Sequence, residues 1–397
     1  MTEWNQHKGG PTNAGLRRDL EGPSRVTEAW TADLARPPGS PVCDRDTVYV
    51  GTSAGNCYAL ETETGRRRWT VETTAATDAT PVVTRERLYL GTADGTVRAL
   101  DPATGDEEWR TDLPAGLESA LTLSEGRLYA GHEAGLTALE AETGERLWTH
   151  ETESPVVGRP AVADGREYDR SRATRSPLSE SVAAADADLL EDDRQEPDQR
   201  WIDERAFAGT ADGTVFALEA ETGEEVWTAP AAGAVATGPT VADDRVYVAD
   251  DAGTLLALDA ATGQSWFTYE IGDAFTTSPT VLAAAETTFV GAADGYVHVT
   301  DTTVGRRKLR GWLFSRTGIE LDAPVRSCPI VVGDVLCVGD ASGSFYGIDV
   351  DEADPLWNFR ADEAIAGTPA IAPGRLFVGS DDGRLHCLEW DTDDRGR

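Results

Sequence analysis

The chain has 397 residues, and 70 aspartates and glutamates against 35 lysines and arginines give it a formal net charge of −35. This balance argues against a nucleic-acid-binding face, because such faces are basic. The acidic residues are spread along the whole chain. They favour a protein of a salt-accumulating organism over an ordinary acidic protein, since at molar salt a Debye length of about 3 Å screens their repulsion.

The cysteines and the N-terminal residues bear on the compartment. Five cysteines at scattered positions, with no CxxC pair, argue against a disulfide framework and against a thiolate metal site. The first fifteen residues are polar, without the apolar stretch of a secretion signal or a cysteine for lipid attachment, and the chain has no apolar run of a membrane-spanning helix. We therefore expect a cytoplasmic protein, although a wrongly assigned start codon would hide a signal.

Tryptophan recurs along the chain at intervals of about forty residues, a period typical of repeat architectures. One interval is about twice as long, between Trp148 and Trp227, and predicts a repeat with an insertion. The complete series is Trp30, Trp69, Trp109, Trp148, Trp227, Trp266, Trp312 and Trp357.

Each repeat contains four short strand patterns, best seen from Thr80 to Trp109. Two apolar strands are followed by Asp94-Gly95, which predicts a two-residue type I′ hairpin, and then by two further strands separated by Thr104-Gly105. Four antiparallel strands form one blade of a β-propeller. Eight such central turns occur along the chain, so the sequence predicts an all-β, eight-bladed propeller.

The two ends of the chain complement each other. The last blade stops near Trp390 without a fourth strand, while the residues around Trp30 form an outer strand with no blade before it. We expect the N-terminal strand to complete the C-terminal blade and so close the ring. This gives a lead-in at residues 1–25, a propeller at 26–390 and a tail at 391–397. Because Trp4 precedes every blade, it is expected to contribute little to stability.

The segment Ala99-x-Asp101-x-x-Thr104-Gly105-x-x-x-Trp109 resembles the tryptophan-docking motif of quinoprotein-type propellers. Similar copies, with Glu in place of Asp, end at Trp69, Trp148 and Trp227. In blade five Trp266 arrives one residue early, so that Phe267 falls in register, and blades six and seven depart further. The motif implies outer-strand tryptophans that pack on the adjacent blade.

Two branches of this superfamily have different functions. One contains dehydrogenases that use pyrroloquinoline quinone (PQQ), and the resemblance implies for them a vicinal disulfide and a tryptophan around the quinone, Glu and Asn ligands for Ca²⁺, and an Asp base. No two cysteines are adjacent here. The other branch is similar to BamB, and residues 4–15 resemble its lead-in. We therefore expect a monomeric, non-enzymatic scaffold without a cofactor that binds an unidentified protein partner. The alternatives are a quinone dehydrogenase and a propeller that senses a ligand or cation.

Other chemistry has weaker candidates. No pair among the five histidines has metal-site or triad spacing, and no phosphate-binding or nucleophile motif occurs. Aspartates cluster at Asp250-Asp251, Asp340 and Asp381-Asp382, where solvated turn carboxylates and weak cation sites are both open.

Two basic clusters and one insertion are the candidate partner contacts. The clusters are Arg66, Arg67 and Arg68, and Arg306, Arg307, Lys308 and Arg310. Either they pair with nearby carboxylates, or they dock an acidic partner or a membrane surface. The insertion spans about residues 166–205 in the A–B turn of blade four, and its Leu178 and Leu189 share one predicted helical face. It is either a mobile decoration or a docking element.

Overall fold

The computed structural model describes residues 4–77, 79–117, 119–164, 203–308 and 318–391. The described strands form eight separate sheets, each built on four antiparallel strands, and in seven of the sheets these four strands are consecutive in the chain. One additional short strand, Leu16–Arg17, pairs in parallel with the inner edge of the seventh sheet. The predicted eight-bladed propeller is confirmed.

In every blade strand A lies nearest the axis and strand D lies at the perimeter. The A strands are Val42–Cys43, Val82–Val83, Thr122–Ser124, Ala161–Ala163, Thr240–Ala242, Thr280–Leu282, Ile330–Val332 and Ala370–Ala372. The B strands are Thr47–Gly51, Leu88–Gly91, Arg127–His132, Arg205–Gly209, Arg245–Ala249, Thr287–Gly291, Val335–Gly339 and Arg375–Ser380.

The outer two positions complete the blades. The C strands are Asn56–Glu61, Thr96–Leu100, Gly135–Glu140, Thr214–Glu219, Thr254–Asp259, Tyr296–Asp301, Ser344–Asp349 and Arg384–Glu389. The D strands are Arg67–Glu72, Glu107–Asp112, Arg146–Glu151, Glu225–Pro230, Ser265–Glu270, Ile319–Glu320, Pro355–Arg360 and, for blade eight, Thr27–Asp33. Two short 3₁₀ helices, His7–Gly9 and Ala283–Ala285, are the other regular elements described.

The central turns differ from the prediction. A type I′ hairpin needs a positive φ at both central residues, but in blade two only Gly95 has one, at 85°. The Gly95 amide donates to the Thr92 carbonyl at 2.9 Å, and the Thr92 amide donates to the Thr96 carbonyl. The connection is therefore a three-residue loop that ends in a left-handed glycine. The Asp94-Gly95 pair fits both turn types, so the sequence did not distinguish them.

The ring closes as expected from the two incomplete ends. Thr27–Asp33 pairs antiparallel with Arg384–Glu389, and Trp30 lies opposite Cys387. The Trp30 indole also reaches blade one, where its N–H donates to the Thr62 carbonyl at 3.0 Å. The N-terminal strand therefore supplies the fourth strand of blade eight, as it was expected to.

The tryptophans on the D strands connect neighbouring blades in one recurring geometry. The Trp109 ring lies 5.9 Å from the Tyr89 ring of its own blade, and its indole N–H donates to the Ala141 carbonyl of the next. A Cβ placed on Gly144, whose φ is 73°, would come within 2.5 Å of the Trp109 ring. The same stacking on the next blade's turn glycine occurs at Trp30, Trp69, Trp148 and Trp227.

Blades five to seven depart from this geometry. In blade five Phe267 packs on Gly305, whereas Trp266 is 55% exposed and donates to the Thr303 carbonyl at 2.8 Å. Trp266 is thus outside the docking position, because a strand reverses its face with every residue. In blade seven the Trp357 indole donates to the Pro23 carbonyl of the lead-in. Trp312, in blade six, lies outside the described residues.

The lead-in is part of the core, contrary to expectation. Trp4 is 1% exposed and packs in the cluster formed by blades one, seven and eight. The segment then runs across the axis, and its backbone carbonyls accept hydrogen bonds from the inner strands of five blades. The donors are the amides of Cys43, Val83, Val162, Val241 and Val331. The expectation failed because the lead-in itself has no repeat pattern, and the strands that it contacts are far from it in sequence.

Candidate functional site

The loops that lead from strand D to strand A bring one equivalent residue of each blade to the axis. This residue precedes the proline before strand A in seven blades, and Leu121 replaces that proline in blade three. We call these eight residues the axial ring. They are Ser40, Thr80, Ala120, Arg159, Gly238, Ser278, Cys328 and Thr368. Seven are small, so Arg159 is the position at which the repeat symmetry is broken.

Six residues of the axial ring, all except Gly238 and Ser278, line a cavity of about 440 Å³, which we call the axial funnel. His7 and Arg159 line its base, and its walls carry small residues of the D–A loops, among them Ala76, Ala236 and Thr276. None of the described lining residues is a carboxylate. Asp78 and Glu118, which belong to two of these loops, lie outside the described residues.

Arg159 joins the axial ring to the lead-in. Its side chain is 5% exposed, and it donates to the side-chain oxygens of Gln6, at 2.6 Å, and Asn13. It also donates to the carbonyls of His7 and Leu121 at 2.9 and 3.0 Å. All of these acceptors are neutral, so they satisfy the N–H groups without compensating the charge. Burial lowers the pKa of Arg159 to about 9.

Lys8 adds a second buried cation beside the funnel. It is 1% exposed, and its Nζ donates to the Pro279 carbonyl at 2.5 Å and to Ser278 Oγ at 3.2 Å. The Ser278 hydroxyl donates to Cys328 Sγ, which lines the funnel. Burial lowers the pKa of Lys8 to about 8, with Arg159 adding to the effect and Cys328 opposing it. Lys8, like Arg159, is held by neutral acceptors.

His7 completes the basic cluster at the base of the funnel. Its Nδ1 lies 3.4 Å from the Thr80 hydroxyl of the axial ring. Burial, together with the charges of Arg159 and Lys8, holds the pKa of His7 well below its ordinary value. The imidazole is therefore neutral at pH 7, and the net positive charge of the cluster comes from Arg159 and Lys8.

The two predicted basic clusters lie far from this site, on the outer strands and turns of blades one and six. Arg66 and Arg68 pair with Glu61 and Asp46 at 2.5 and 3.0 Å, and Arg67 lies over the Tyr58 ring. In blade six Arg307 donates to the Tyr269 hydroxyl, Lys308 donates to the Thr287 hydroxyl, and Arg306 is exposed. Arg310 and the insertion residues Leu178 and Leu189 lie outside the described residues.

The clustered aspartates organise their own turns. Asp340 is fully buried and accepts hydrogen bonds from the Ser342 and Ser344 amides and the Tyr346 hydroxyl. Asp250 accepts from the Thr254 amide within its turn and from two amides of the preceding loop. Among the described residues, no group of three or more acidic, histidine or cysteine side chains is arranged to hold a metal ion.

The funnel does not fit the quinone site that the resemblance implies. The described lining residues include Cys328 but no second cysteine, no tryptophan and no carboxylate. They therefore supply neither the two faces that would sandwich a planar quinone nor oxygen ligands for Ca²⁺ of the kind that carboxylates provide. We derive no catalytic step from this site.

Two features of the sequence mark this site, and both depart from the repeat. Lys8 is one of only two lysines in the chain, and it lies in a segment without repeat character. Arg159 occupies a position at which the other blades have Ser, Thr, Ala, Gly or Cys. A residue that differs from its equivalents in the other repeats is a candidate for a specific function. Aligning the D–A loops of the eight blades shows that Arg159 is such a residue.

Comparison with solved structures confirms the architecture. A designed propeller, Ika8, is 17% identical with a TM-score of 0.69, covering 95% of this chain and 99% of its own. BamB from Moraxella catarrhalis is 19% identical with a TM-score of 0.66, covering 94% and 99%. A quinohemoprotein alcohol dehydrogenase from Comamonas testosteroni is 15% identical with a TM-score of 0.74, covering 100% and 81%. At these identities the likeness shows the fold alone.

The remaining comparisons concern sequence. No curated protein matches the chain. Among the described residues no helix is long and apolar enough to cross a membrane. A family model described as outer membrane protein assembly factor BamB matches residues 25–117, 93–206 and 200–395, which together span the whole propeller and leave out residues 1–24 of the lead-in. The chain belongs to this family of propellers.

Proposed function

We propose that the protein is a non-enzymatic scaffold that binds a protein partner on one face of the propeller. The observation that carries this proposal is that the exposed apolar residues, the basic clusters and the insertion all lie towards one face of the propeller. The A–B and C–D turns lie at one end of every blade, and the B–C turns and D–A loops lie at the other. We call the first end the turn face.

The exposed apolar side chains gather at the turn face. Of the large hydrophobic residues that are exposed in the described chain, Val304 lies within a C–D turn, and Leu147, Trp266 and Leu356 are each the second residue of a D strand. Both basic clusters follow C–D turns, and the insertion emerges from an A–B turn. Aromatic and arginine side chains are enriched in protein–protein interfaces. The turn face therefore has the composition of an interaction surface.

Trp266 is the best single anchor on this face. Its indole N–H is bound to the Thr303 carbonyl, and Arg245 stacks on its ring with 4.2 Å between the guanidinium carbon and the ring centroid. The side chain is thus held in one orientation while more than half of it remains exposed. A rigid, exposed tryptophan loses little conformational entropy when a partner covers it.

The test is cross-linking in native lysate at molar salt, followed by identification of the linked peptides. The cross-links should map to the turn face. The double variant Trp266→Ala, Val304→Ser should abolish the cross-links to one partner. Replacing residues 169–202 by a short turn should reduce the cross-links to the same partner. Ala54→Asp, on the opposite face, serves as the matched control and should leave the links unchanged. Links that are insensitive to the turn-face changes would contradict the proposal.

An enzyme assay distinguishes the dehydrogenase alternative. The protein is incubated with pyrroloquinoline quinone and Ca²⁺, and alcohol-dependent dye reduction is followed. The scaffold proposal predicts no reduction above the rate of the quinone in buffer. A stoichiometric quinone absorbance that stays with the protein on gel filtration, together with turnover, would replace the scaffold by an enzyme.

A further inference from the structure

We propose that the base of the axial funnel is a binding site for a small carboxylate. This proposal does not depend on the scaffold function, because the funnel opens among the D–A loops, away from the turn face. It rests on a cavity and on two cations beside it, each more than nine-tenths buried, for which the described residues offer no carboxylate partner.

Buried charges in proteins are normally paired, because the acceptors that satisfy their hydrogen bonds do not remove the cost of taking the charge out of water. Arg159 and Lys8 have neutral acceptors in every hydrogen bond described for them. Many carboxylates were available in a chain with 70 of them, yet none of the described ones lines the funnel. An anion that enters the funnel would supply the missing charge.

The donors that face the funnel favour a carboxylate over a larger dianion such as phosphate. Arg159 Nη2 carries two hydrogens and donates to one described acceptor, Gln6 Oε1, which leaves one N–H for a ligand. His7 Nε2 has no described hydrogen-bond partner, and the hydroxyls of Ser40 and Thr368 line the walls. Two or three single donors around a volume of about 440 Å³ match the two oxygens of a small carboxylate.

The lead-in supplies two of the three basic residues of this site. His7 and Lys8 precede residue 25, where the match to the family model begins. The lead-in also supplies all of the side-chain oxygens to which Arg159 is bound, namely those of Gln6 and Asn13. The site is therefore built where the lead-in meets the one charged residue of the axial ring.

Cys328 allows binding to be measured without labelling the ligand. It lines the funnel and is partly exposed, whereas Cys43, Cys57, Cys337 and Cys387 are buried. The full-length protein is treated with iodoacetamide in molar potassium chloride at increasing acetate or succinate, and alkylation of each cysteine is followed by mass spectrometry. The proposal predicts a saturable slowing at Cys328 of about tenfold, because a bound ligand covers the thiol.

Two variants locate the effect. Ala236→Phe fills the funnel and leaves both cations in place, so carboxylate should no longer change the alkylation rate. Ala54→Phe, at a B–C turn outside the funnel, is the matched control and should behave as the original protein. Arg159→Gln should weaken binding at least about tenfold where the variant folds. If it does not fold, Ala236→Phe and the original protein still decide the question.

Two outcomes identify the source of the carboxylate. Protection by acetate alone points to a free small acid. Stronger protection by a short peptide with a free C-terminus than by the same peptide amidated points to the end of a partner chain. A Cys328 rate that no carboxylate changes would overturn the proposal. Equal slowing by additional potassium chloride would show an adventitious ion only and would overturn it as well.

Discussion

At the scale of single residues, one position along a strand decides whether a tryptophan stabilises the ring or faces solvent. Trp109 lies between the Tyr89 ring and the turn glycine of the next blade. Trp266 is one residue out of register, and Phe267 takes the buried position instead. The spacing in the sequence predicted this difference, because the number of residues between the Thr-Gly pair and the aromatic residue decides on which face of the strand the aromatic side chain lies.

Replacing each of three tryptophans by alanine compares how much the docking, core and exposed positions contribute to the free energy of unfolding. Trp109→Ala should lower the free energy of unfolding by about 3–5 kcal/mol, as expected for the loss of a large packed side chain. Trp4→Ala should cost a similar amount, because Trp4 is almost fully buried in the core. Trp266→Ala should cost about 0.5 kcal/mol or less. Denaturant titration measures all three, and a cost at Trp266 equal to that at Trp109 would contradict the assigned docking positions.

Buried histidine makes the fold sensitive to acid. His132 is fully buried, its Nδ1 accepts from the Ala134 amide at 3.2 Å, and its Nε2 lies 2.8 Å from the Thr137 hydroxyl. Burial lowers the pKa of His132 below the ordinary value of 6.5. The unfolded chain therefore binds the proton more readily, so this contribution to stability is present above pH 6.5 and is lost as the pH falls below it.

His132→Gln tests this sign. The variant should be less stable at pH 7, yet it should lose less stability than the original protein between pH 6.5 and pH 5. The other four histidines are common to both proteins, so the difference between the two pH profiles belongs to position 132. Two parallel profiles would show that His132 is protonated as easily in the folded chain as in the unfolded one.

At the scale of elements, the strands could be predicted and the lead-in could not. Each blade repeats the same local pattern of apolar residues and turn glycines, and counting the turns was enough to give eight blades and an unpaired strand at each end. Residues 4–22 have no such period. Their partners, from Cys43 to Val331, lie on strands of several blades, and only the assembled ring brings these strands together.

The insertion in blade four is the opposite case, because its position could be predicted from the sequence and we expect the ring to fold without it. Strand A ends at Ala163 and strand B begins at Arg205, so the predicted insertion reaches one residue into the strand. Glu204 belongs to the packed structure, since it accepts a hydrogen bond from Ser124 and lies 3.7 Å from Arg127. A shortened chain must therefore retain Glu204.

Replacing residues 169–202 by a short turn should leave the melting temperature within a few degrees. The loop-closure entropy changes by only about 0.6 kcal/mol for each doubling of loop length, so the ring gains little when the segment is removed. Calorimetry of the two proteins at the same salt concentration makes the comparison. A large fall in melting temperature would mean that the segment packs on the blades.

At the scale of the whole molecule, charge and connectivity act in opposite directions. A net charge of −35 makes the blades repel one another, while the closing strand and the lead-in hold them together. Surface ion pairs such as Arg68 with Asp46 are exposed and contribute little. The excess of acidic residues therefore dominates the response of the fold to salt.

Dilution from molar salt to about 0.1 M should lower the melting temperature, because the Debye length grows from about 3 to about 10 Å and the acidic side chains begin to repel. Thermal scans in potassium chloride between these limits measure the effect. A melting temperature that stays constant or rises on dilution would remove the argument that the composition is an adaptation to salt.

The lead-in runs across the axis and binds the inner strands, and hydrogen exchange in the full-length protein tests this arrangement most directly. The amides of Cys43, Val83, Val162, Val241 and Val331 donate to lead-in carbonyls at 2.8 to 2.9 Å. They should therefore exchange as slowly as amides in the B strands, whose hydrogen bonds lie within the blade. Fast exchange at these five positions, as at an unpaired inner edge, would show that the lead-in is not in the axis and would remove the basic site at the base of the funnel with it.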